Sequence, residues 1–174
     1  HFKNARIYAF EPVKESFERL EKAVKGIEQI EIFNNAAGDK NETIEIPIYS
    51  EPTIATLKPH EYGMPAIAHE KIKVIRLDEF FTGHHIGKID ILKIDVEGFE
   101  LQVLRGTGQY LEKVNCIIVE VGYVRCDTKT HFTDMDKFME DNGFYLFNIY
   151  ELMPMHNDKG QLCYSNNVYL RHKQ

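Results

Sequence analysis

Cysteine is scarce in this chain. Among its 174 residues only Cys116, Cys126 and Cys163 occur, and no two of them have the CxxC spacing. Zinc knuckles and thioredoxin-type redox sites need cysteines paired at short spacing, so neither kind of site is predicted. An odd, widely spaced set is typical of free thiols in a reducing compartment, which predicts a cytoplasmic protein.

Long apolar segments are absent as well. No run approaches the roughly 18 apolar residues that a membrane-spanning helix needs, so no membrane span is predicted. The start, His1-Phe2-Lys3-Asn4, has neither the apolar core of a signal peptide nor an initiator methionine. We therefore expect the chain to begin after processing or inside a longer gene product.

The chain has no excess of positive charge. Its 21 Lys and Arg against 27 Asp and Glu give a net charge of −6, which argues against nucleic acid or an anionic membrane as partner. A hydrophobic fraction of 43% with 11% aromatic residues excludes general disorder. The length suits one domain over residues 1–174, and the composition specifies no oligomeric state.

What the sequence does contain is a series of strand-like segments alternating with helix-like ones. Two of these strands, 89–94 and 114–121, are almost continuously apolar, which indicates an α/β fold with a mainly parallel sheet. The last two strands predict an antiparallel C-terminal hairpin, and Pro47 predicts an edge position for its strand. The predicted strands are 5–10, 30–36, 43–49, 71–77, 89–94, 114–121, 144–150 and 167–170.

Helices are predicted between these strands. Val13, Phe17, Leu20 and Val24 recur on one helical face, and Gly26 is a suitable stop. Three further helices are predicted: a short one capped by Asp78, one carrying Leu101, Leu104 and Leu111, and one capped by Thr133.

Residues 50–70 show no clear period and contain three prolines. A stretch of this length without secondary structure is commonly functional, so we interpret it as an irregular loop on the substrate side.

Three predicted strands have a carboxylate at their C-terminal end: Glu11, Asp95 and Glu120. Ligands of open α/β sheets bind beyond the carboxyl ends of the strands, so these acids should meet at the site. Glu11 could bind the vicinal hydroxyls of a ribose if its strand is the second of the fold. Alternatively, it is an exposed acid stabilised by a helix dipole.

Asp95 and Glu97 flank one turn after the strand 89–94. They could bind a divalent cation, act as a general base or contact the substrate. For Glu97, capping of the following helix is an equal alternative, with Gly98 supplying the tight turn. Glu120 lies within an apolar run, where an unpaired charge is costly. It is therefore either a site residue or one half of a satisfied pair.

A glycine pair, Gly106 and Gly108, could suggest a phosphate-binding loop. It follows a helix rather than a strand, however, and so lacks the context of a phosphate or dinucleotide loop. We interpret it as a site of close helix packing or as a helix break.

Taken in order, these segments resemble the FkbM-type methyltransferases from about residue 5 to about residue 150. The stretch Lys93-Ile94-Asp95-Val96-Glu97-Gly98 is the most specific part of the resemblance. The other matching segments are Phe10-Glu11-Pro12, Asn35-Ala36-Ala37-Gly38-Asp39, Leu77-Asp78, Phe99-Glu100, Val103-Leu104-Arg105-Gly106 and Ile118-Val119-Glu120.

The resemblance implies a Rossmann-like sheet and an S-adenosylmethionine-dependent O-methyltransferase acting on hydroxyls of sugars, glycolipids or related natural products. By position, Glu11 would hold the ribose hydroxyls, Asn35 and Ala36 would lie against the adenine, and Asp95 would lie near the methyl group. Glu97 and Glu120 would face the acceptor, and Mg²⁺ is an open alternative. Which carboxylate acts as the base is not fixed by the resemblance.

The sequence departs from this family at its start. Only about four residues precede the first predicted strand, whereas a βαβ unit takes about 30 or more residues. We therefore expect the first strand–helix unit and its glycine-rich cofactor loop to be missing, and cofactor binding by these residues to be weak. Two rival interpretations remain: a non-catalytic module that binds a carbohydrate or a protein, and a nicotinamide-dependent oxidoreductase.

Overall fold

A computed structural model describes residues 4–49, 66–155 and 160–172 of the chain. Four helices are present in these residues: α1 Lys14–Val24, α2 Leu77–Gly83, α3 Glu100–Thr107 and α4 Phe132–Asp141, and a 3₁₀ turn at Gly108–Lys113 follows α3. The strands are β1 Ile7–Phe10, β2 Ile30–Phe33, β3 Ala36–Gly38, β4 Glu42–Ile48, β5 Ala68–Arg76, β6 Ile89–Ile94, β7 Val114–Gly122, β8 Phe144–Pro154 and β9 Leu162–Arg171.

The strands form three hydrogen-bonded groups. β1 pairs with β2, a second group has the order β3-β5-β4, and a third has the order β6-β7-β9-β8. Among the described residues three pairings are parallel and three are antiparallel. The fold is thus mixed α/β. The prediction of a mainly parallel sheet is wrong, because β4 and β9 each run against the neighbours they pair with.

Several predicted elements are confirmed. The segments 89–94 and 114–121 are strands that pair in parallel, and the C-terminal hairpin is antiparallel. β4 lies at the edge of its group, as Pro47 predicts. The predicted absence of a first strand–helix unit stays a prediction.

The segment predicted as one strand over 30–36 is instead two. β2 ends at Phe33 and β3 begins at Ala36, and each pairs with a different strand. Between them the Asn34 amide nitrogen donates to the backbone carbonyls of Glu11 and Pro12, at 2.9 and 3.0 Å. These bonds tie the end of β2 to the end of β1, an interaction that the local sequence pattern does not signal.

The irregular segment is shorter than predicted. β5 begins at Ala68, so residues 68–70 are strand rather than loop, and Pro47 of β4 pairs with His69. The part of the predicted loop between 50 and 65 lies outside the described residues.

Two predicted helix caps are wrong. α4 begins one residue earlier than Thr133, and the His131 ring caps it by accepting a hydrogen bond from the Thr133 amide at 3.3 Å. Asp78 lies within the first turn of α2, where it forms an ion pair with Arg76 at 2.5 Å.

The main core lies where α2, α3 and α4 pack against the sheets. Its fully or nearly fully buried members include Leu104, Val114, Ile117, Val119, Val121, Met135, Met139, Phe144 and Tyr169. β1 and β2 contact the same core through aromatic rings, with Phe33 at 4.8 Å and Phe10 at 4.9 Å from the Phe80 ring of α2. No helix in the described part of the chain is both long enough and apolar enough to cross a membrane.

Helix α3 approaches β3 with its backbone. A Cβ atom added at Gly106 would lie 1.8 Å from the Gly38 carbonyl oxygen, so only glycine permits this contact. Gly108 ends the helix with a left-handed φ of 54°. Both parts of the glycine-pair interpretation, close packing and a helix break, are therefore confirmed.

Candidate functional site

Asp95, Glu97 and Glu120 converge in space. A carboxylate oxygen of each lies within 4.8 Å of the others. The fold explains the convergence, because β6 and β7 are parallel neighbours with Ile94 opposite Val119. Asp95 and Glu97 follow the end of β6, and Glu120 lies near the end of β7, so the three acids share one edge of the sheet.

The turn that carries Glu97 has an uncommon backbone conformation. Glu97 has a φ of 48° and Gly98 a φ of 91°, so two consecutive residues are left-handed. This conformation is unfavourable for a residue with a side chain and costs on the order of 1–3 kcal/mol, a strain that clusters at functional sites. A Cβ at Gly98 would lie 2.2 Å from the Asp127 carbonyl oxygen, so the turn also needs glycine for space.

Lys129 lies between two of the three acids. Its Nζ donates to Glu97 Oε2 at 3.1 Å and to Glu120 Oε2 at 2.5 Å. The Lys129 side chain is 13% exposed and that of Glu120 is 10% exposed. The ammonium also lies 4.7 Å from the centre of the Tyr164 ring. Glu120 is therefore both a member of the acidic cluster and one half of a satisfied pair.

Burial and charge shift the ionisation of this pair. Burial raises the pKa of Glu120, the Lys129 hydrogen bond and charge oppose this rise, and the neighbouring Glu97 and Asp95 add to it. For Lys129, burial by itself would lower the pKa. The hydrogen bond that Lys129 donates to Glu120 and the charges of Glu97 and Glu120 outweigh burial, so the Lys129 pKa is raised. Lys129 is thus a fixed cation, whereas Glu120 holds a proton to higher pH than an ordinary carboxyl group.

A fourth acid, Glu100, holds the backbone of the site. It is 1% exposed, and its Oε1 accepts a hydrogen bond from the Gly98 amide at 2.9 Å. Its Oε2 accepts from the Thr130 amide at 3.2 Å and from the Thr130 hydroxyl at 2.6 Å. Glu100 therefore ties the turn that carries Glu97 to the segment that carries Lys129.

These contacts contradict the alternative that Glu97 caps helix α3. The residue flanking the start of α3 is Phe99, with no side-chain cap, and the acid that bonds the preceding turn is Glu100. The Glu97 carboxylate turns instead towards Lys129.

The three carboxylates have the hard oxygen donors that Mg²⁺ prefers. Lys129 already pairs with both Glu97 and Glu120, however, and Lys93 Nζ lies 2.8 Å from Asp95 Oδ2. A divalent cation would have to compete with the Lys129 ammonium for two of its three prospective ligands. The described residues therefore lend no support to a Mg²⁺ site while Lys129 is in place.

Replacing Lys129 by Met should convert the acidic cluster into a cation site. Loss of the ammonium removes the cation that pairs with two partly buried carboxylates, which should lower the free energy of unfolding by about 3 kcal/mol. Millimolar Mg²⁺ should restore much of this loss in Lys129→Met and have little effect on the wild type. Thermal unfolding with and without Mg²⁺ measures both effects.

Lys93→Met is the matched control for this experiment. It removes the exposed partner of Asp95, a pair of the kind that contributes about 0–1 kcal/mol, and should change little. A Lys129→Met variant as stable as the wild type, or one that Mg²⁺ does not stabilise, would contradict the expectation.

The residues predicted to hold the adenosine part of the cofactor lie at the ends of β1 and β2. Glu11 is half-buried, and its Oε1 accepts a hydrogen bond from the Val13 amide at 2.9 Å. Burial raises the pKa of Glu11, the Val13 bond opposes this rise, and the charge of Glu70 adds to it. Further hydrogen bonds from hydroxyl donors would stabilise the charge of this half-buried carboxylate, and the two hydroxyls of a ribose are such donors.

Asn35 and Ala36 differ in what they offer a cofactor. Asn35 is half-buried and forms no side-chain hydrogen bond within the described residues, so its amide is available. The Ala36 methyl is packed in a small apolar cluster with Val13, Ile46 and Val74. Ala36 therefore offers a cofactor its backbone rather than its side chain, and both assignments stay predictions.

Lys129 and Glu100 are site residues that the sequence pattern did not indicate. A signal for Lys129 existed, because the buried Glu120 requires a cationic partner, but the pattern does not say which lysine provides it. Glu100 forms part of the segment that resembles the family, yet its position on a short helix gives no sign that its carboxylate is 1% exposed.

Known proteins that resemble this chain are methyltransferases. The family described as "Methyltransferase FkbM domain" matches residues 1–146. The hexuronic acid methyltransferase AglP of Haloferax volcanii is 32% identical over 123 residues, which cover 67% of this chain and 47% of AglP. "Methyltransferase 1" of Beauveria bassiana is 23% identical over 163 residues, which cover 82% of this chain and 64% of that protein.

A solved structure has the same fold. The crystal structure of a methyltransferase FkbM from Methylobacillus flagellatus aligns with 93% of this chain and 36% of that one, at a TM-score of 0.53 and 17% identity. The chain thus spans between about one third and two thirds of the length of these relatives. Since the family match covers most of the residues, including every acid of the convergent cluster, the chain belongs to the FkbM methyltransferase family.

Proposed function

We propose that this protein transfers a methyl group from S-adenosylmethionine to an oxygen atom of a sugar, glycolipid or related natural product. The observation that carries the proposal is the convergence of Asp95, Glu97 and Glu120 around Lys129 at the carboxyl ends of β6 and β7. The named activity of AglP on a hexuronic acid supports a sugar-derived acceptor.

The cofactor would be held by residues that follow β1, β2 and β6. Glu11 would accept hydrogen bonds from the ribose hydroxyls, and Asn35 with the backbone of Ala36 would contact the adenine. Asp95, whose side chain is 49% exposed, would lie near the methionine end. When bound, S-adenosylmethionine supplies a methyl group on a positively charged sulfur, which already makes that carbon electrophilic.

The protein's part in the step is to align the acceptor and to remove a proton. Glu120 is the carboxylate best suited to accept that proton, because burial raises its pKa. S-adenosylmethionine would supply the methyl group to the acceptor oxygen and leave as the uncharged thioether, and the hydroxyl proton of the acceptor would pass to Glu120. Lys129 keeps the carboxylate oriented, and Glu97 contacts the acceptor.

The test uses the protein at its full natural length. S-adenosylmethionine with a labelled methyl group is incubated with neutral and acidic sugars, and cofactor binding is measured separately by calorimetry. We expect labelled sugar, with the label stable to mild alkali if it forms an ether and released if it forms an ester. Cofactor binding without transfer to any sugar would contradict the acceptor class. Failure to bind the cofactor would favour the non-catalytic carbohydrate- or protein-binding module.

A further inference from the structure

A cleft lies beside the carboxylate cluster, between α3 and the segment 125–134. Its volume is about 200 Å³. Its lining includes Lys129, which pairs with the cluster, and Gly98, which follows Glu97, so the two sites are adjoining. Its lining is polar and rich in cationic side chains: Gln102 and Arg105 from α3, and Arg125, Lys129, Thr130, His131 and Asp134 from the facing segment.

The cations of the cleft are unequally paired. The Lys129 charge is balanced by Glu97 and Glu120. Arg125 pairs with Asp134, at 2.9 Å from Nη1 to Oδ2, but both side chains are exposed to solvent. Arg105 is exposed and forms no ion pair or side-chain hydrogen bond with any residue that the structure describes. The cleft therefore presents one guanidinium without a partner and a second that is held only by an exposed carboxylate.

The cluster and the adjoining cleft differ in charge. Asp95, Glu97 and Glu120 form the acidic cluster, whereas Arg105, Arg125 and Lys129 line the cleft together with one acid, Asp134. In a chain with a net charge of −6, a negatively charged acceptor would be repelled unless its charge were placed against local cations. An acceptor that carries both a reactive oxygen and an anionic group would be oriented by this difference in charge.

We propose that the cleft binds an anionic group of the acceptor, a carboxylate or a phosphate, through Arg105 and Arg125. The inference rests on the proposed function only in taking the bound molecule to be a sugar derivative that receives the methyl group. Guanidinium groups form paired hydrogen bonds with carboxylate and phosphate oxygens. Asp134 is the ion-pair partner of Arg125, so it competes with such a ligand for the Arg125 guanidinium.

The competition gives the experiment two variants with opposite effects. Arg105→Gln removes a binding cation, and Asp134→Asn releases Arg125 from its internal partner. The KM for glucuronate or glucose 1-phosphate, divided by the KM for glucose, should rise about tenfold in Arg105→Gln, the effect of losing one charge-assisted hydrogen bond. The same ratio should fall in Asp134→Asn. Arg19→Gln, which breaks the exposed Arg19–Glu15 pair on α1, is the control and should leave the ratio unchanged.

Direct binding separates this inference from the proposed function. Glucuronate, glucose 1-phosphate and glucose are titrated without cofactor while the arginine side-chain NMR signals are recorded. Perturbation of these signals by glucuronate identifies a carboxylate site, and perturbation by glucose 1-phosphate a phosphate site. Either perturbation, observed in a protein that methylates no sugar, would support anion binding in the cleft and contradict the proposed function. Anions that perturb the wild type and Arg105→Gln equally, or unchanged KM ratios in both cleft variants, would overturn the inference.

Discussion

Replacing Glu120 by Gln should lower the rate of the proposed methyl transfer to a sugar hydroxyl by about 10²–10⁴-fold, the usual contribution of a general base. Glutamine has nearly the same shape and can still accept a hydrogen bond from Lys129, but it cannot take up the hydroxyl proton. The change should therefore lower kcat far more than it alters KM. Steady-state kinetics with the labelled cofactor measure both parameters.

The pH dependence of kcat provides a second test with the same variant. Glu120 must be ionised to act as a base, so wild-type kcat should rise with pH through the raised pKa of this residue and then level off. The raised pKa also means that the folded state holds this proton to higher pH than the unfolded state. The contribution of Glu120 to the free energy of unfolding therefore falls as pH rises from the ordinary carboxyl pKa through the raised one. Glu120→Gln should abolish both dependences.

Asp90→Asn is the control for the loss of a carboxylate. Asp90 lies at the opposite end of β6 from the cluster, where it pairs with the exposed Lys88 and accepts a hydrogen bond from the Asn115 amide at 3.4 Å. Its replacement should leave the rate and the pH profile as they are in the wild type. Full activity of Glu120→Gln would show that another group acts as the base. Transfer by this variant to a carboxylate acceptor but not to a hydroxyl would show that the carboxylate reaction needs no proton to be removed.

Replacing Gly106 by Ala should destabilise the fold by about 3 kcal/mol or more. The new methyl group would lie 1.8 Å from the Gly38 carbonyl oxygen and 2.7 Å from the Gly38 carbonyl carbon. Both atoms belong to the backbone of β3, so no side chain can rotate away, and relief requires α3 and β3 to separate. Overpacking in cores costs about 1–3 kcal/mol even where neighbours can adjust. Denaturant unfolding measures the loss.

Gly83→Ala provides the matched control. Gly83 ends α2, and a Cβ atom there would have no neighbour within 4 Å. The substitution should be neutral or stabilise by up to about 1 kcal/mol, since alanine is the better helix former. Equal stability of Gly106→Ala and Gly83→Ala would contradict a close approach of α3 to β3.

The parts of the fold that could be predicted are those with a strong local pattern. β6 and β7 are apolar runs bounded by polar turns, and α1 has a clear helical face. The break between β2 and β3 depends on hydrogen bonds from Asn34 to carbonyls more than 20 residues earlier. The wrong balance of parallel and antiparallel strands has a similar origin, because the direction of β9 against β7 is set by long-range pairing.

The site was predictable to the same extent. A carboxylate inside an apolar strand is costly unless it is paired or functional, which predicted Glu120 to be either a site residue or one half of a satisfied pair. The partner could not be named, because Lys129 reaches the cluster from a loop whose position depends on distant contacts. Gly122 bridges to His131, and the buried Glu100 bonds Thr130 across 30 residues of sequence.

The double attachment of Glu100 has a consequence for motion at the site. One buried carboxylate bonds amides on both the Glu97 turn and the Lys129 segment, so neither can move outward without breaking a bond to the same group. We expect the Gly98 and Thr130 amides to exchange with solvent deuterium at matched, slow rates, through one shared opening event. Any entry or release of ligands that displaces this wall would then share a single kinetic barrier.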